Sequence, residues 1–480
     1  MTTTRTALDP RSSQSVLRRL LGRPSDWHLR MPRLPRFNPG LHTLGPLALL
    51  ASLAVSWPAF AGATGDGGNV AFGLYIGAVS IILMAWSFLL AVRIPFLEPF
   101  FGGLDRMYQV HRWAGTFAAI TMFLHTSIEP EIDGGIRGAS ESLADTAEEL
   151  AGTGEVMIYG LIALSLLRWF PYRWWRLTHK LFGIPFAFAC FHFFTAEKTY
   201  ANDSAWGIWF GAIMVIGLVT YVWRVFKRDM VTPGLRYKVT ESTVRGSTLE
   251  IAMEPTRKAL DYRAGQFAVL KVQEPGLREP HVFTIASSPS DGELRFFIRD
   301  LGDWTGEMLA RGEDLLGSTV IVEGPYGRFE PLGHNATRTV WVAGGVGITP
   351  FLSAMIDLDP MEDPVHRPTL FYAVRSADDA MAIEVLRRAE YELRLNLVIC
   401  SSADGRRFTP ELMEQVVGSD LRGAQVAVCG PAGLVATVDR TARRLGASDV
   451  EHEDFDIRQG FGPDLSRDVH SVVRSVTDRG

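Results

Sequence analysis

The chain has 480 residues, 47% of them hydrophobic and 21% charged, with a formal net charge of −5. A length of this order exceeds what one hydrophobic core supports, so two or three domains are expected. The three cysteines, Cys190, Cys400 and Cys429, are too scattered for a disulfide framework or a Cys-x-x-Cys metal site, and the lack of a CxxCH run excludes covalent c-type haem. No basic patch interleaved with aromatics and no zinc-finger spacing occurs, which argues against a nucleic acid partner.

Residues 1–40 form a basic arm with Arg11, Arg18, Arg19, Arg23, Arg30, Arg33 and Arg36, and its Arg- and Pro-rich composition is that of a disordered segment. From Leu41 to Phe226 long apolar runs alternate with short polar breaks. Windows of about 20 residues, the length that crosses a hydrocarbon core, give six expected spans. They are Leu41–Phe60, Val70–Val92, Val110–Ser127, Glu155–Phe170, Thr178–Thr195 and Ala205–Phe226. Ala59-Phe60-Ala61 satisfies a small-x-small cleavage pattern, but the basic stretch ahead of the first span, about 40 residues, is far longer than a signal's n-region. An uncleaved first helix is therefore expected.

The flanking charges predict one orientation in the bilayer. The arm, the second loop (Arg93, Arg106, Arg112) and the fourth loop (Arg168, Arg173, Arg176, Lys180) are basic and belong in the cytoplasm. The stretch Thr126–Gly154, with Glu129, Glu131, Asp133, Glu141, Asp145, Glu148 and Glu149 against Arg137 alone, reads as an outer loop. Six spans return the chain to the cytoplasm at Arg224, Lys227 and Arg228. The expected location is thus the cell membrane, with the N-terminus and the soluble half inside.

Ionisable groups inside a bilayer are costly and mark a function. In the third span HRWAGTFAAITMFLH places His111 and His125 14 positions apart, about 21 Å of helical rise on one face. The fifth span repeats the layout in THKLFGIPFAFACFH, with His179 and His192 13 positions apart. Because the two spans run in the same direction, His111 and His179 share the cytoplasmic level, and His125 and His192 share the outer one. Imidazoles facing each other across a bundle core are the axial ligand set of a b-type haem, so two stacked haems are expected. On a straight helix the thirteen-step spacing turns His192 about 140° away from His179. Gly183 and Pro185 lie between them and are expected to kink or rewind the helix. His28 and His42 lie outside this pattern.

From Arg236 onward the pattern becomes that of a soluble protein. The runs YKVTEST, TLEIAMEP, GQFAVLKV, HVFTIASS, ELRFFIRD and TVIVEGPYG, over residues 236–335, predict an antiparallel β-barrel. Over residues 336–460, strand-like TVWVAGG, TLFYAVR, NLVICSS and AQVAVCG alternate with helical segments, which predicts a parallel α/β sheet. At the first strand-to-helix turn, Gly344, Gly345 and Gly347 precede Thr349 and Pro350. Glycines admit a pyrophosphate close to the backbone and the following helix offers its positive N-terminus, although the spacing is not GxGxxG and the turn alone is also compatible with no ligand.

Taken together, HVFTIASSP, VEGPYG, GGVGITP and CGPAGL, joined to paired histidines in two of six spans, resemble the NADPH oxidase and ferric reductase superfamily over roughly Leu41 to Arg458. The resemblance implies a six-helix transmembrane haem domain over 41–228, fused to a cytoplasmic ferredoxin-NADP-reductase-like module of an FAD barrel and a nucleotide-binding domain. By that resemblance His281 contacts the FAD phosphate or ribityl side, Phe283 packs on the flavin or adenine, Thr284 lies near the reactive flavin edge, and Ser287 and Ser288 complete the FAD motif. The family usually has proline at the place of Val282. The segment around Arg299, Gly302, Trp304 and Thr305 is implied to wrap the FAD diphosphate. Cys429, Gly430 and Pro431 are implied beside the nicotinamide, with Cys429 near its C4 position. Phe455 in EDFDIR is implied to shield the flavin face, and residues 461–480 form a tail beyond the family's usual end. Arg375 together with Arg406 or Arg407 stand where the family binds the 2′-phosphate, so NADPH is expected as donor with NADH as the alternative.

Nicotinamide gives two electrons at once, haem iron accepts one, and flavin can do both. The expected path therefore runs from NAD(P)H through FAD to the inner and then the outer haem, and on to an extracellular acceptor. Dioxygen giving superoxide is favoured over a ferric chelate, because the outer loops hold no His, Cys or Met cluster that would capture metal. A different class of reading is a membrane-anchored flavin reductase whose membrane histidines relay protons.

Overall fold

In the computed structural model the described residues are 41–66, 68–128, 132, 134–167, 172–227, 234–333, 336–376 and 379–452. The basic arm, Phe455 and the tail lie outside them. The chain divides into two compact units, one ending at Val231 and the other spanning Thr232–Phe455.

The first unit is helical: α1 (Leu44–Ser56), α2 (Gly68–Ala91), α3 (Leu104–Ile128), α4 (Glu141–Leu166), α5 (Tyr172–His179), α6 (Gly183–Thr195) and α7 (Ala205–Val222). Five helical stretches among the described residues are long and apolar enough to cross a membrane: Leu41–Ala59, Gly68–Ala91, Glu141–Leu166, Trp174–Thr195 and Ala205–Phe226. The expected third span is also a helix, 25 residues long. Asp105, Arg106, Gln109, His111 and Arg112 make its first turns too polar for it to stand with the other five.

The acidic stretch expected as an outer loop differs most from its sequence reading. Most of it is helix, because α4 starts at Glu141, just after Ser140 in extended conformation at the N-cap, and runs for 26 residues. Carboxylates in a first turn complement the helix dipole, and Ala-rich polar sequence forms helix readily. Apolarity therefore located the end of this helix and missed its beginning. Beyond the bundle, the short strands β1 (Ile136–Arg137) and β2 (Glu197–Lys198) pair antiparallel, joining the α3–α4 and α6–α7 connections.

The second unit holds the two expected domains. The barrel strands are β3 (Leu235–Arg245), β4 (Thr248–Pro255), β5 (Phe267–Val272), β6 (His281–Thr284), β7 (Leu294–Arg299) and β8 (Thr319–Tyr326). They form an antiparallel sheet in the order β6-β5-β8-β3-β4-β7. Its two end strands are stitched by Ala286 N–H donating to the Arg295 carbonyl at 2.8 Å, so the sheet curls toward closure. Alternating residues such as Leu249, Ile251, Met253, Phe296 and Ile298 fill the interior.

The nucleotide domain has β9 (Arg338–Gly344), β10 (Thr369–Val374), β11 (Asn396–Ser401), β12 (Ala424–Cys429) and β13 (Asp449–His452), all parallel, in the order β11-β10-β9-β12-β13. The last strand extends the four read from sequence. Helices α8 (Asp303–Arg311), at the barrel, and α9 (Thr349–Met355), α10 (Ile383–Tyr391), α11 (Pro410–Val417) and α12 (Ala432–Arg444) complete the unit. Both faces of β9 are buried, Val340 and Val342 in one core and Trp341 and Ala343 in the other. This two-sided burial is why its sequence is a continuous apolar run.

Trp341 is fully buried and its indole N–H donates to the Pro331 carbonyl at 2.7 Å. Trp341→Ala is predicted to cost this unit about 3–5 kcal/mol. In thermal unfolding its transition should move down by several degrees while a Trp341→Phe variant loses less; equal midpoints for wild type and Trp341→Ala would contradict this.

Candidate functional site

In the helical unit the four histidines do form two layers. His111 and His179 lie with ring centres 6.2 Å apart. Two metal–imidazole bonds of ~2 Å, plus ~1 Å from each nitrogen to its ring centre, sum to about 6 Å. The spacing therefore fits one iron between the rings. In the second layer His125 and His192 are near enough to interact electrostatically, with Glu148 and Lys198 as the other charged groups around His192.

The hydrogen bonds of these rings fix which nitrogen can serve a metal. Nδ1 of His125 lies 2.8 Å from the Gly73 carbonyl, and Nδ1 of His111 lies 2.9 Å from the Ser87 carbonyl and 2.8 Å from its hydroxyl. A carbonyl can only accept, so the proton sits on Nδ1 and the lone pair on Nε2. That is the tautomer a haem iron requires, held by the outer partners such ligands usually have. His179 is stacked on Trp175 at 5.0 Å and edge-on to Phe182 at 5.2 Å, with the Ser165 hydroxyl 3.4 Å from its Nδ1. His192 differs: its Nδ1 is buried with no hydrogen-bond partner among the described residues.

Helix α2 supplies residues that the sequence reading passed over. A Cβ on Gly77 would come within 2.7 Å of His125 Nδ1, so the ring occupies the space of a side chain. Ser80 donates its hydroxyl to the Ala118 carbonyl at 2.9 Å. Gly73, Gly77, Ser80 and Ser87 make a stripe of small residues along one face of α2 against α3, and their 4-3-7 spacing was the available sequence signal.

Lys198 is another residue found only in the structure. It is 4% exposed, and its ammonium donates to the carbonyls of Phe193 (2.8 Å), Phe194 (3.1 Å) and Ala196 (2.9 Å) at the end of α6. Arg137 and Glu197 pair across β1 and β2 beside it. A cation at a helix C-terminus is favourable, yet burial pushes the ammonium down to about 8 from 10.5. The folded protein thus sheds this proton before the unfolded chain does, and the native state gains stability as pH rises from about 8 toward 10.5.

In the second unit the flavin motif is built around a ring stack. His281 and Phe283, alternate residues of β6, face Trp304 with ring centres 4.1 Å and 5.8 Å from it. The indole N–H of Trp304 donates to the Leu277 carbonyl at 3.2 Å, which anchors the ring that carries the stack. The Thr305 hydroxyl accepts the amides of Leu301 and Gly302 at 2.9 and 3.0 Å, which leaves the first turn of α8 as the part able to meet an anion. Thr284 is buried at the end of β6, in register with Phe267 of β5, and Val282 sits between the two stacked rings in sequence.

Ser287 and Ser288 are engaged with protein groups. Both are buried; Ser287 Oγ holds the Tyr262 hydroxyl at 3.0 Å and accepts the Arg295 amide at 3.0 Å, while Ser288 Oγ bonds the Asp357 carboxylate. With Ser353 donating to the Ser287 carbonyl at 2.6 Å, they clasp the barrel to the nucleotide domain.

The glycine turn and the CGP segment, some 85 positions apart, meet at the point where the sheet order reverses between β9 and β12. A Cβ on Gly347 would lie 2.2 Å from the Cys429 carbonyl, and one on Gly344 would lie 2.8 Å from atoms of Pro431 and Leu434. Gly345 adopts a φ of 57°, and a Cβ there would come within 3.2 Å of the Arg299 guanidinium. Gly347 is thus required by the crossing of two backbones, Gly344 by the packing of Pro431 and Leu434, and Gly345 by its positive φ. Thr349 and Pro350 open α9 and are buried. Cys429 is 3% exposed at the end of β12, and Gly430 packs back on Gly344. Arg375 follows β10 and Arg406 and Arg407 follow β11, all three exposed at the C-terminal ends of neighbouring strands.

Three family models match consecutive parts of the chain: "Ferric reductase like transmembrane component" over residues 76–190, "FAD-binding domain" over 235–330, and "Oxidoreductase NAD-binding domain" over 341–440. The chain is thus similar to ferric reductases in its helical unit and to FAD- and NAD-binding oxidoreductase domains in its second unit. Similar proteins include ferric reduction oxidase 7, chloroplastic, of Arabidopsis thaliana, 25% identical over 352 residues that cover 65% of this chain and 44% of that one. Dual oxidase 2 of Rattus norvegicus is 26% identical over 197 residues, 39% of this chain and 12% of that one. Methane monooxygenase component C of Methylosinus trichosporium is 31% identical over 131 residues, 27% of this chain and 38% of that one. The chain thus spans less than half the length of these relatives. The matches assign FAD and a nicotinamide nucleotide to the second unit and membrane-spanning character to the first.

Two predictions follow from these contacts. Gly347→Ala should weaken nicotinamide nucleotide binding at least tenfold, measured by titration, with FAD content unchanged, because its methyl group meets backbone rather than a movable side chain. For Lys198, wild type should gain thermal stability between pH 8 and 10 relative to a Lys198→Met variant; a constant difference across that range would show that the ammonium does not titrate there.

Proposed function

We propose that the protein is a transmembrane oxidoreductase that passes electrons from cytoplasmic NADPH through FAD and two b-type haems to dioxygen on the outer side, giving superoxide. The observation that carries this reading is the pairing of His111 with His179 at 6.2 Å, with Nδ1 of His111 protonated toward Ser87 and its Nε2 left for a metal. When bound, the flavin divides a two-electron donation into single electrons, which the haems carry one at a time.

The chain's own residues have distinct parts in this scheme. His111 and His179 would hold the inner haem, and His125 and His192 the outer one. Ser87 and Gly73 orient the ligating rings through Nδ1. His281, Phe283 and Trp304 form the platform on which FAD would lie, and the first turn of α8 would face its diphosphate. Gly344, Gly345 and Gly347, with the N-terminus of α9, would admit the nicotinamide nucleotide's pyrophosphate. Arg375 and Arg406 would take the 2′-phosphate, Cys429 and Thr284 would line the hydride path, and Phe455 would cover the flavin until nicotinamide arrives. The reading places six spans in the cell membrane with the second unit in the cytoplasm.

A second acceptor, a ferric chelate, is favoured by one observation. The match to ferric reduction oxidase 7 covers 65% of this chain, whereas the match to dual oxidase 2 covers 39%.

Purified protein reduced anaerobically with NADPH separates these readings when it is then offered oxygen or a ferric chelate, with superoxide detected independently. Rapid reoxidation by oxygen with superoxide release is expected; reoxidation by the chelate alone would replace the acceptor. His192→Leu should remove one haem and leave FAD reduction by NADPH intact. The absence of any b-type absorbance in wild type would end the haem assignment.

A further inference from the structure

The thirteen-residue step between His179 and His192 is met by a specific break in the helix. Helix α5 ends at His179, Lys180–Phe182 is a 3-10 turn, and α6 starts at Gly183. Pro185 has no N–H to give the Leu181 carbonyl, four residues back, so the break is written in the sequence. Each 3-10 residue advances by about 120° rather than 100°, so three of them reduce the ~140° offset to ~80°. A core-facing stripe on a helix is about 100° wide. Two histidines ~80° apart share such a face, whereas two ~140° apart do not.

Tyr221 of α7 is fitted to this break. Its hydroxyl donates to the Lys180 carbonyl, in the 3-10 turn, at 2.9 Å. Its ring fills the space beside Gly183, where a Cβ would lie 2.1–2.3 Å from three ring atoms. The ring is backed by Phe88 at 5.3 Å, and yielding to a methyl group would break the bond to Lys180.

We propose that Tyr221, seated against Gly183, is a positioning residue that holds the 3-10 turn and thereby sets the rotation at which His192 is presented to the outer haem. This rests on the reading of the four histidines as haem ligands. His192 is the ring that depends on it: His125 and His111 are aimed by hydrogen bonds to α2, and His179 by stacking on Trp175, whereas Nδ1 of His192 has no partner among the described residues. The aim of His192 therefore follows the phase of α6.

The test uses full-length purified protein and reads haem stoichiometry, the two midpoint potentials and the low-spin EPR signals, with the outer component identified as the one lost in His192→Leu. Tyr221→Phe removes only the hydroxyl. It should keep two haems per chain while shifting the outer potential and EPR signal, with the inner ones unchanged. Gly183→Ala should lower haem content from two to about one per chain, and the double variant Gly183→Ala/Tyr221→Ala should recover part of that loss by opening the space. If Gly183→Ala does not fold, Tyr221→Phe decides alone. Unchanged outer signals in Tyr221→Phe, or equal shifts in both layers, would overturn the role of Tyr221 and leave the haem reading standing. Wild type without haem would instead sink the ligand assignment itself.

Discussion

The membrane unit depends on how imidazoles are held inside an apolar bundle. A neutral ring in such a place must place its one N–H, and two of the four do so on carbonyls of α2, at Gly73 and Ser87. That requirement brings α2 and α3 close together, and close approach in turn requires small residues such as Gly77, whose missing side chain is the space His125 occupies. The tautomer, the helix spacing and the residue types of α2 are consequences of one hydrogen-bonding constraint.

A related constraint shapes the second unit. Two backbones cross where β9 and β12 end, and the crossing tolerates no Cβ at Gly347 or Gly344. The glycines that let the two backbones meet stand directly before α9. The buried clasp of Ser287, Ser288, Ser353 and Asp357 ties the barrel to the nucleotide domain nearby. Serines that follow a flavin motif in sequence thus serve the joint between the two domains.

Much of this was legible in the residues. Periodicity separated an apolar helical half from a second half with a β-rich and an α/β part, and each of the six barrel runs became a strand. Repeated histidine spacing suggested two layers, because equal spacing along two helices implies equal depth. The misreadings have physical causes. Apolarity reports lipid contact rather than helicity, so the polar start of α4 read as loop and the polar start of α3 was left out of its span. Lys198 and Tyr221 carried no pattern, since their partners are carbonyls at helix ends and main-chain acceptors leave no trace in sequence.

By itself, the sequence determined the succession of units, the matched spacing of the four histidines and the glycine turn, because hydrophobic period, charge and backbone permissiveness are local properties. Only the tertiary structure decided which nitrogen of an imidazole is free, which serines are already engaged, and how a thirteen-residue step can keep two rings on one face. These depend on partners that arrive from other helices and strands. Their positions follow from packing, which couples residues such as Gly183 and Tyr221 that are 38 positions apart in the chain.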